Sequence, residues 1–257
     1  MKNSIQIITT AIAILCTNIA SSQVDSVYIV KGDSVMAVYA TTDLDSVVFY
    51  RPNVSSENTN NTIITDIDGN VYTSVTIGTQ EWMAENLRTS KYTDGTVIPN
   101  VTDSALWGNL TTGAWSHNNN DSQYDSTFGK LYNWYAVETG KLCPTGWHVP
   151  THSEWTTLTD YLSTNGYSGE EGTALKATYG WNNSGNGSND YGWNGLAGGG
   201  RVDNGHFHNI GISNDLWSSS EYSEGRAWYR YLVYSDAYVH VVHSDNKSGL
   251  SVRCLKD

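Results

Sequence analysis

Cys143 and Cys254 are the only cysteines in this sequence apart from Cys16. Joined, they would pin the end of the chain to its middle. Whether they join depends on the compartment, and the N-terminus speaks to that. Lys2 is followed by an apolar run from Ile5 to Leu15 and then by the small residues Ala20-Ser21-Ser22. A positive start, a short apolar core and a small-residue cleavage site describe a secretory signal, here residues 1–22. The run is shorter than the ~20 apolar residues of a membrane span, and Thr9, Thr10, Thr17 and Asn18 dilute it. Lipidation at Cys16 is disfavoured by Leu15, where a small residue is wanted. With the signal removed, an even pair remains in an exported chain and reads as a disulfide. It closes a loop of roughly a hundred residues, worth up to about 4–5 kcal/mol in the chain-entropy account. Two cysteines cannot form a four-thiolate zinc site.

The formal net charge of -12 lacks the basic footprint of a nucleic-acid binder and argues against an anionic membrane surface. The aromatic inventory is uneven, with Trp 10 and Tyr 17 against Phe 3. Trp and Tyr join a flat apolar body to a polar handle, which suits binding surfaces as well as cores.

Residues 23–50 read as a small β unit, with strands at Val27–Val30, Val35–Tyr39 and Asp45–Tyr50. A polar linker follows at 51–61. The main domain spans 62–257. It opens with a strand at Ile63–Ile67, a turn at Asp68-Gly69 and a return strand at Val71–Ile77. The Asp66-x-Asp68-Gly69 cluster lacks the further ligands of an EF-hand loop, so the hairpin reading prevails. Glu81–Leu87 reads as a short buried segment. Gly129–Val137 is expected to be helical, with Leu131, Trp134 and Tyr135 on one face. Thr151-x-x-Glu154 after Pro150 is a capping box, opening a helix that buries Trp155, Leu158 and Leu162 and stops before Gly166. The glycine-rich stretch 179–205 lacks the lysine and setting of a phosphate loop and reads as turns. The chain closes in an antiparallel meander of Arg226–Tyr234, Tyr238–His243 and Leu250–Leu255.

That meander carries the candidate ligand site. Alternation sets Trp228, Arg230, Leu232 and Tyr234 on one side of a strand, and Tyr229, Tyr231 and Val233 on the other. One side faces the core. The other, with its loops, offers a Tyr/Ser/Asn surface of paratope-like composition. Tyr222, Tyr229, Tyr231, Tyr238 and His240 are the proposed contact residues. Tyr222, Tyr231 and Tyr238 are expected to be exposed, and Trp217 and Trp228 to be buried.

Five ordered blocks then point to a family. They are Asp66-Ile67-Asp68-Gly69-Asn70-Val71-Tyr72; Ile77-Gly78-x-Gln80-x-Trp82-Met83-Ala84-Glu85-Asn86-Leu87; Gly129-Lys130-Leu131-Tyr132-x-Trp134; Cys143-Pro144-x-Gly146-Trp147-His148-Val149-Pro150-Thr151-x-x-Glu154-Trp155; and Ser251-Val252-Arg253-Cys254-Leu255-Lys256-Asp257. Together they resemble the Fibrobacter succinogenes major paralogous domain, a family of exported bacterial surface proteins. The resemblance implies an α+β, C-type-lectin-like fold, mainly antiparallel β with one or two helices and long loops. The fourth and fifth blocks also resemble the formylglycine-generating group. That group's chemistry needs a close pair of reactive thiols, whereas here Cys254 stands alone near the end, with Cys143 as its expected partner.

Other chemistries are weaker. His206-x-His208 and His240-x-x-His243, with Asp203 or Asp245, have spacings a transition metal can use, but such histidines are more often loop or sheet-surface residues. The calcium-dependent sugar signature is incomplete at Trp181-Asn182-Asn183 and Trp193-Asn194-Gly195. Calcium in the Asn/Asp-rich loops would be structural, and no cofactor is expected. The expectation is an exported, non-catalytic recognition protein for a glycan or surface protein. A structural cell-surface or matrix component is the alternative, ahead of a thiol or metal enzyme.

Overall fold

A computed structural model describes the backbone of residues 26–31 and 34–40, and residues 63–257 in full. The signal expected at 1–22 with Cys16, the strand expected at 45–50 and the linker expected at 51–61 lie outside the described residues. The chain divides into two units, Met1–Asn58 and Thr59–Asp257. In the first, β1 (Ser26–Lys31) pairs antiparallel with β2 (Ser34–Ala40). That is the hairpin expected from two β-branched runs.

The second unit is α+β, with antiparallel sheets and short helices. Its elements are β3 (Ile64–Thr65), β4 (Val71–Tyr72), β5 (Ser74–Ile77), β6 (Gln80–Met83), α1 (Ser104–Gly108), β7 (Trp115–Ser116), α2 (Asp125–Phe128), β8 (Leu131–Tyr132), α3 (Trp134–Val137), β9 (Trp147–His148), α4 (His152–Leu162), α5 (Glu171–Leu175), β10 (Gly200–Arg201), β11 (Phe207–His208), β12 (Ser213–Ser223), β13 (Arg226–Val233), β14 (His240–Asp245) and β15 (Leu255–Lys256). One sheet runs β5-β6-β15-β9 and another β12-β13-β14, with two-stranded pairs β3-β4, β7-β8 and β10-β11.

Asp66 shapes the opening hairpin. Its carboxylate accepts from Asp68 N (3.0 Å), Asn70 N (2.9 Å), Asn70 Nδ2 (2.8 Å) and the Tyr72 hydroxyl (2.7 Å). Those oxygens are committed to the turn. The return strand is shorter than expected. Thr73 is drawn aside by Glu85, to which its N and Oγ1 both donate at 2.9 Å, and Ser74–Ile77 joins the other sheet.

The helix expected over Gly129–Val137 shrinks to Trp134–Val137. Asn133 caps it, accepting from Ala136 N, and the same oxygen accepts from Ala114 N at 2.9 Å. That second bond fixes Asn133 at a junction, and Leu131–Tyr132 extend as a strand instead. The capping box is present in both directions between Thr151 and Glu154. Trp155, Leu158 and Leu162 are buried as expected, but the winding loosens after Leu162 and passes through Gly166 as a wide turn over Ser163–Tyr167.

The closing meander is corrected. Its first strand is Ser213–Ser223, and Leu250–Leu255 is not its third strand, meeting β12 only at an isolated parallel bridge between Ser251 and Leu216. Instead Leu255 pairs with Trp82 on one side and His148 on the other, closing the other sheet. Ser213, Asn214, Asp215 and Ser218 are buried in that first strand, so a composition that reads as a turn lies inside the molecule.

β12 divides two apolar cores. Leu216 packs with Trp82, Trp155, Trp193 and Leu232, while its neighbour Trp217 packs with Tyr132, Trp134, Cys143 and Cys254. Period-two alternation makes one strand serve both cores. Trp82, Trp155 and Trp193 meet with ring centroids 4.8–6.4 Å apart. Cys143 and Cys254 are bonded, as expected, across a separation of 111 residues.

Candidate aromatic ligand face

Tyr231 occupies the middle of β13, opposite Asp215 on β12 and His240 on β14. Residues opposite one another across a sheet share a face, so these three form a row. The Tyr231 and His240 rings stack with centroids 4.3 Å apart and planes 8° from parallel. Tyr229 extends the row at 6.1 Å from Tyr231, and Tyr238 flanks it at 6.1 Å from His240.

The loop from Tyr234 to Val239 holds Tyr238 and Asp236 in place. Asp236 accepts from Tyr238 N at 3.0 Å, and His240 Nε2 lies 2.9 Å from its Oδ2. The buried Lys176 donates to Val233 O at 3.1 Å and Asp236 O at 2.7 Å. Burial pulls the Lys176 pKa down, partly offset by Asp236. Gly172 N donates to Ala237 O at 2.7 Å, and a Cβ on Gly172 would lie 2.4 Å from Tyr238 O. Only glycine permits this approach of helix α5 to the loop.

The hydroxyls of Tyr229, Tyr231 and Tyr238 make no hydrogen bond among the described residues, unlike those of Tyr72, Tyr132 and Tyr167. Tyr238 is 53% exposed, and Tyr229 and Tyr231 are half-buried. Burial, with Asp236 and Asp215 nearby, raises the Tyr231 pKa, so the phenol stays protonated as a donor. Beneath the row, burial pushes the Asp215 carboxyl up to about 7, against one hydrogen bond from Ser213 Oγ at 3.1 Å.

Four of the five expected contact residues therefore converge: Tyr229, Tyr231, Tyr238 and His240. Tyr222 does not join them. It is exposed, as expected, but stacks on His243 (3.9 Å, 8°) and meets Trp228 edge-on at 4.7 Å. Trp228 alternates with Tyr229 and Tyr231 along β13 and so projects from the opposite face. The expected core position of Trp228 is also corrected. It is half-buried, packed among His152 at 4.5 Å, Tyr222 at 4.7 Å and His243 at 6.1 Å rather than in either core. Trp217 is fully buried as expected. His240 and His243 stack on opposite faces and do not converge on a common ion. The Asn-rich loops have a backbone explanation: Asn119, Asn120, Asn183, Asn189, Asn194 and Asn209 all adopt positive φ, which Asn tolerates better than most residues.

Asp215, Asp236 and Trp228 were not among the expected site residues. Asp236 reads as a turn residue, and Asp215 stands in a run too polar to suggest a strand. An open polar depression of about 450 Å³ lies among Arg88, Ser122, Ser126 and Lys130. None of its lining residues belongs to the aromatic row. No helix among the described residues is long and apolar enough to cross a membrane.

Residues 75–256 match the family model described as the Fibrobacter succinogenes major domain. The chain belongs to this family. The match begins within β5, so the β3-β4 hairpin precedes it, and it ends on β15, covering the aromatic face and both cores except Ile64 and Tyr72. Comparison with curated proteins and with solved structures finds no match for the chain.

Proposed function

We propose that this protein is an exported, non-catalytic recognition domain of C-type-lectin-like architecture. It binds a glycan or a surface protein through Tyr229, Tyr231, Tyr238 and His240. The observation that carries this reading is the Tyr231–His240 stack beside three tyrosine hydroxyls with no partner among the described residues. Such a row pairs flat apolar area with donors and acceptors at its edge, the combination that suits sugar rings and protein loops alike. Asp236 holds His240, so the face is preorganised and little ordering entropy is lost on binding.

The reading against catalysis draws support from two places. The cysteines are bonded to each other and buried, which leaves no thiolate pair of the formylglycine type. His148 lies between Asp257 (2.7 Å) and Glu154 (3.0 Å), one carboxylate on each ring nitrogen. Burial opposes its charge, but these partners raise the pKa overall, and both ring nitrogens are already committed to carboxylates. A glycan array, with a pull-down from cell-surface protein, tests the proposal. Retention of a ligand class on either supports it. Retention on neither contradicts it.

A further inference from the structure

The face opposite Tyr231 carries an arrangement of its own. His152, in the first turn of α4, lies 4.5 Å from Trp228, and Tyr222 bridges Trp228 and His243. His243 is the register partner of Trp228 across β13 and β14. The four rings form a partly exposed cluster, with one face of Tyr222 covered by His243.

Three buried atoms on these residues and on Arg230, which donates to His152 O, lack a hydrogen-bond partner: His152 Nδ1, His243 Nδ1 and Arg230 Nε. A buried polar atom left unpaired in this way calls for an explanation. A proton on either buried Nδ1 would be stranded, so the tautomer with its proton on Nε2 is the favoured one at both rings. The cluster then presents outward N–H groups at His152, His243 and the Trp228 indole, together with the Tyr222 hydroxyl. None of these has a partner among the described residues.

Arg230 supplies the charge. It is 2% exposed, donates only to His152 O (3.2 Å) and Tyr229 O (3.4 Å), and joins no salt bridge among the described residues. The other fully buried arginines are better served. Arg201 donates to three carbonyls and Arg253 to Asn86 and Trp193 O. A buried guanidinium with weak bonds and no counter-ion attracts an anion. Burial and Arg230 both lower the His152 pKa, so the guanidinium charge is felt at this imidazole. Glu221 and Glu224 flank Tyr222 at the exposed end of the β12–β13 hairpin, and neither joins a salt bridge among the described residues.

We propose that Tyr222, Trp228, His243 and His152 form a second ligand site, which takes a carboxylate-bearing sugar. The C–H face of the ring lies on the face of Tyr222 turned away from His243, and the carboxylate accepts hydrogen bonds from His152 Nε2 and Trp228 Nε1 above Arg230. This site is independent of the Tyr231 row and rests on different residues.

Methyl β-glucuronide and its neutral counterpart methyl β-glucoside are the probes, titrated into the full chain with NMR detection of the Trp228 indole and His152 imidazole. The glucuronide is expected to shift both signals saturably in the millimolar range, with the glucoside at least about tenfold weaker. The bound carboxylate is expected to raise the His152 pKa. Tyr222→Ala and Trp228→Ala should each weaken glucuronide binding by about tenfold or more, whereas Tyr231→Ala should leave it unchanged. Tyr222 is exposed, so its variant keeps the fold even if Trp228→Ala does not. Equal affinity for the two probes, no saturable shift, or loss of binding in Tyr231→Ala would each overturn the proposal. The last result would place the sugar on the other face, so failure here is distinct from failure of the Tyr231 site.

Discussion

Asp215 sits directly across β12–β13 from Tyr231, buried and with one side-chain hydrogen bond. Its carboxyl titrates at about 7 in the folded protein, against an ordinary value of 3.8. A folded-state pKa raised above the unfolded one means the native state holds the proton longer. Stability therefore falls as pH rises from about 4 to about 7 and levels off above that, by on the order of 4 kcal/mol. Asp215→Asn removes this dependence while keeping the shape. Thermal unfolding across pH should show the variant gaining on the native chain from pH 4 to pH 8, and a constant difference would refute the assignment. At this scale the sequence is informative about the site and silent about its support. Tyr229, Tyr231, Tyr238 and His240 are visible because aromatics cluster at alternating positions. Asp215 and Asp236 are not, since nothing local marks an acid as buried or as a partner for a histidine four residues on.

The ligand face depends on how one loop docks against one short helix. Gly172 on α5 approaches Ala237 and Tyr238 so closely that an added Cβ would lie 2.4 Å from Tyr238 O. Backbone on both sides leaves no flexible group to yield. Gly172→Ala is expected to cost about 1–3 kcal/mol by overpacking and to displace Tyr238. It should weaken ligand binding even after correction for unfolded protein, as calorimetric titration at a temperature below the transition would show. An unchanged affinity would mean Tyr238 is not positioned by this contact. Elements are legible where local chemistry decides them. The Thr151–Glu154 box sets the start of α4, and the β-branched runs set β1 and β2. They are illegible where long-range partners decide. Glu85 splits the return strand after Tyr72, Ala114 holds Asn133 at a junction, and Leu255 leaves the meander to pair with Trp82 and His148.

At the scale of the second unit, a single strand with Leu216 in one core and Trp217 in the other ties the two cores together. The Cys143–Cys254 bond lies in the second of these and spans 111 residues, among them the whole ligand face. Replacing both cysteines by Ser is expected to cost about 5 kcal/mol on the chain-entropy account. The loss should appear as a lower denaturation midpoint, with near-native far-UV spectra before the transition. A midpoint within error of the native chain would show that the cores alone fix this unit. The disulfide was legible because a chain read as exported, with one even pair of cysteines, leaves few alternatives. The division into two cores was not, because it depends on a polar strand lying inside. The central claim is that the Tyr231 face, and not the Tyr222 face, carries the main recognition activity. It is tested most directly by the affinity of Tyr231→Ala and Tyr222→Ala for the leading ligand from the array or pull-down. The account predicts a loss of about tenfold or more for Tyr231→Ala and native affinity for Tyr222→Ala. Native affinity in a folded Tyr231→Ala protein would contradict it.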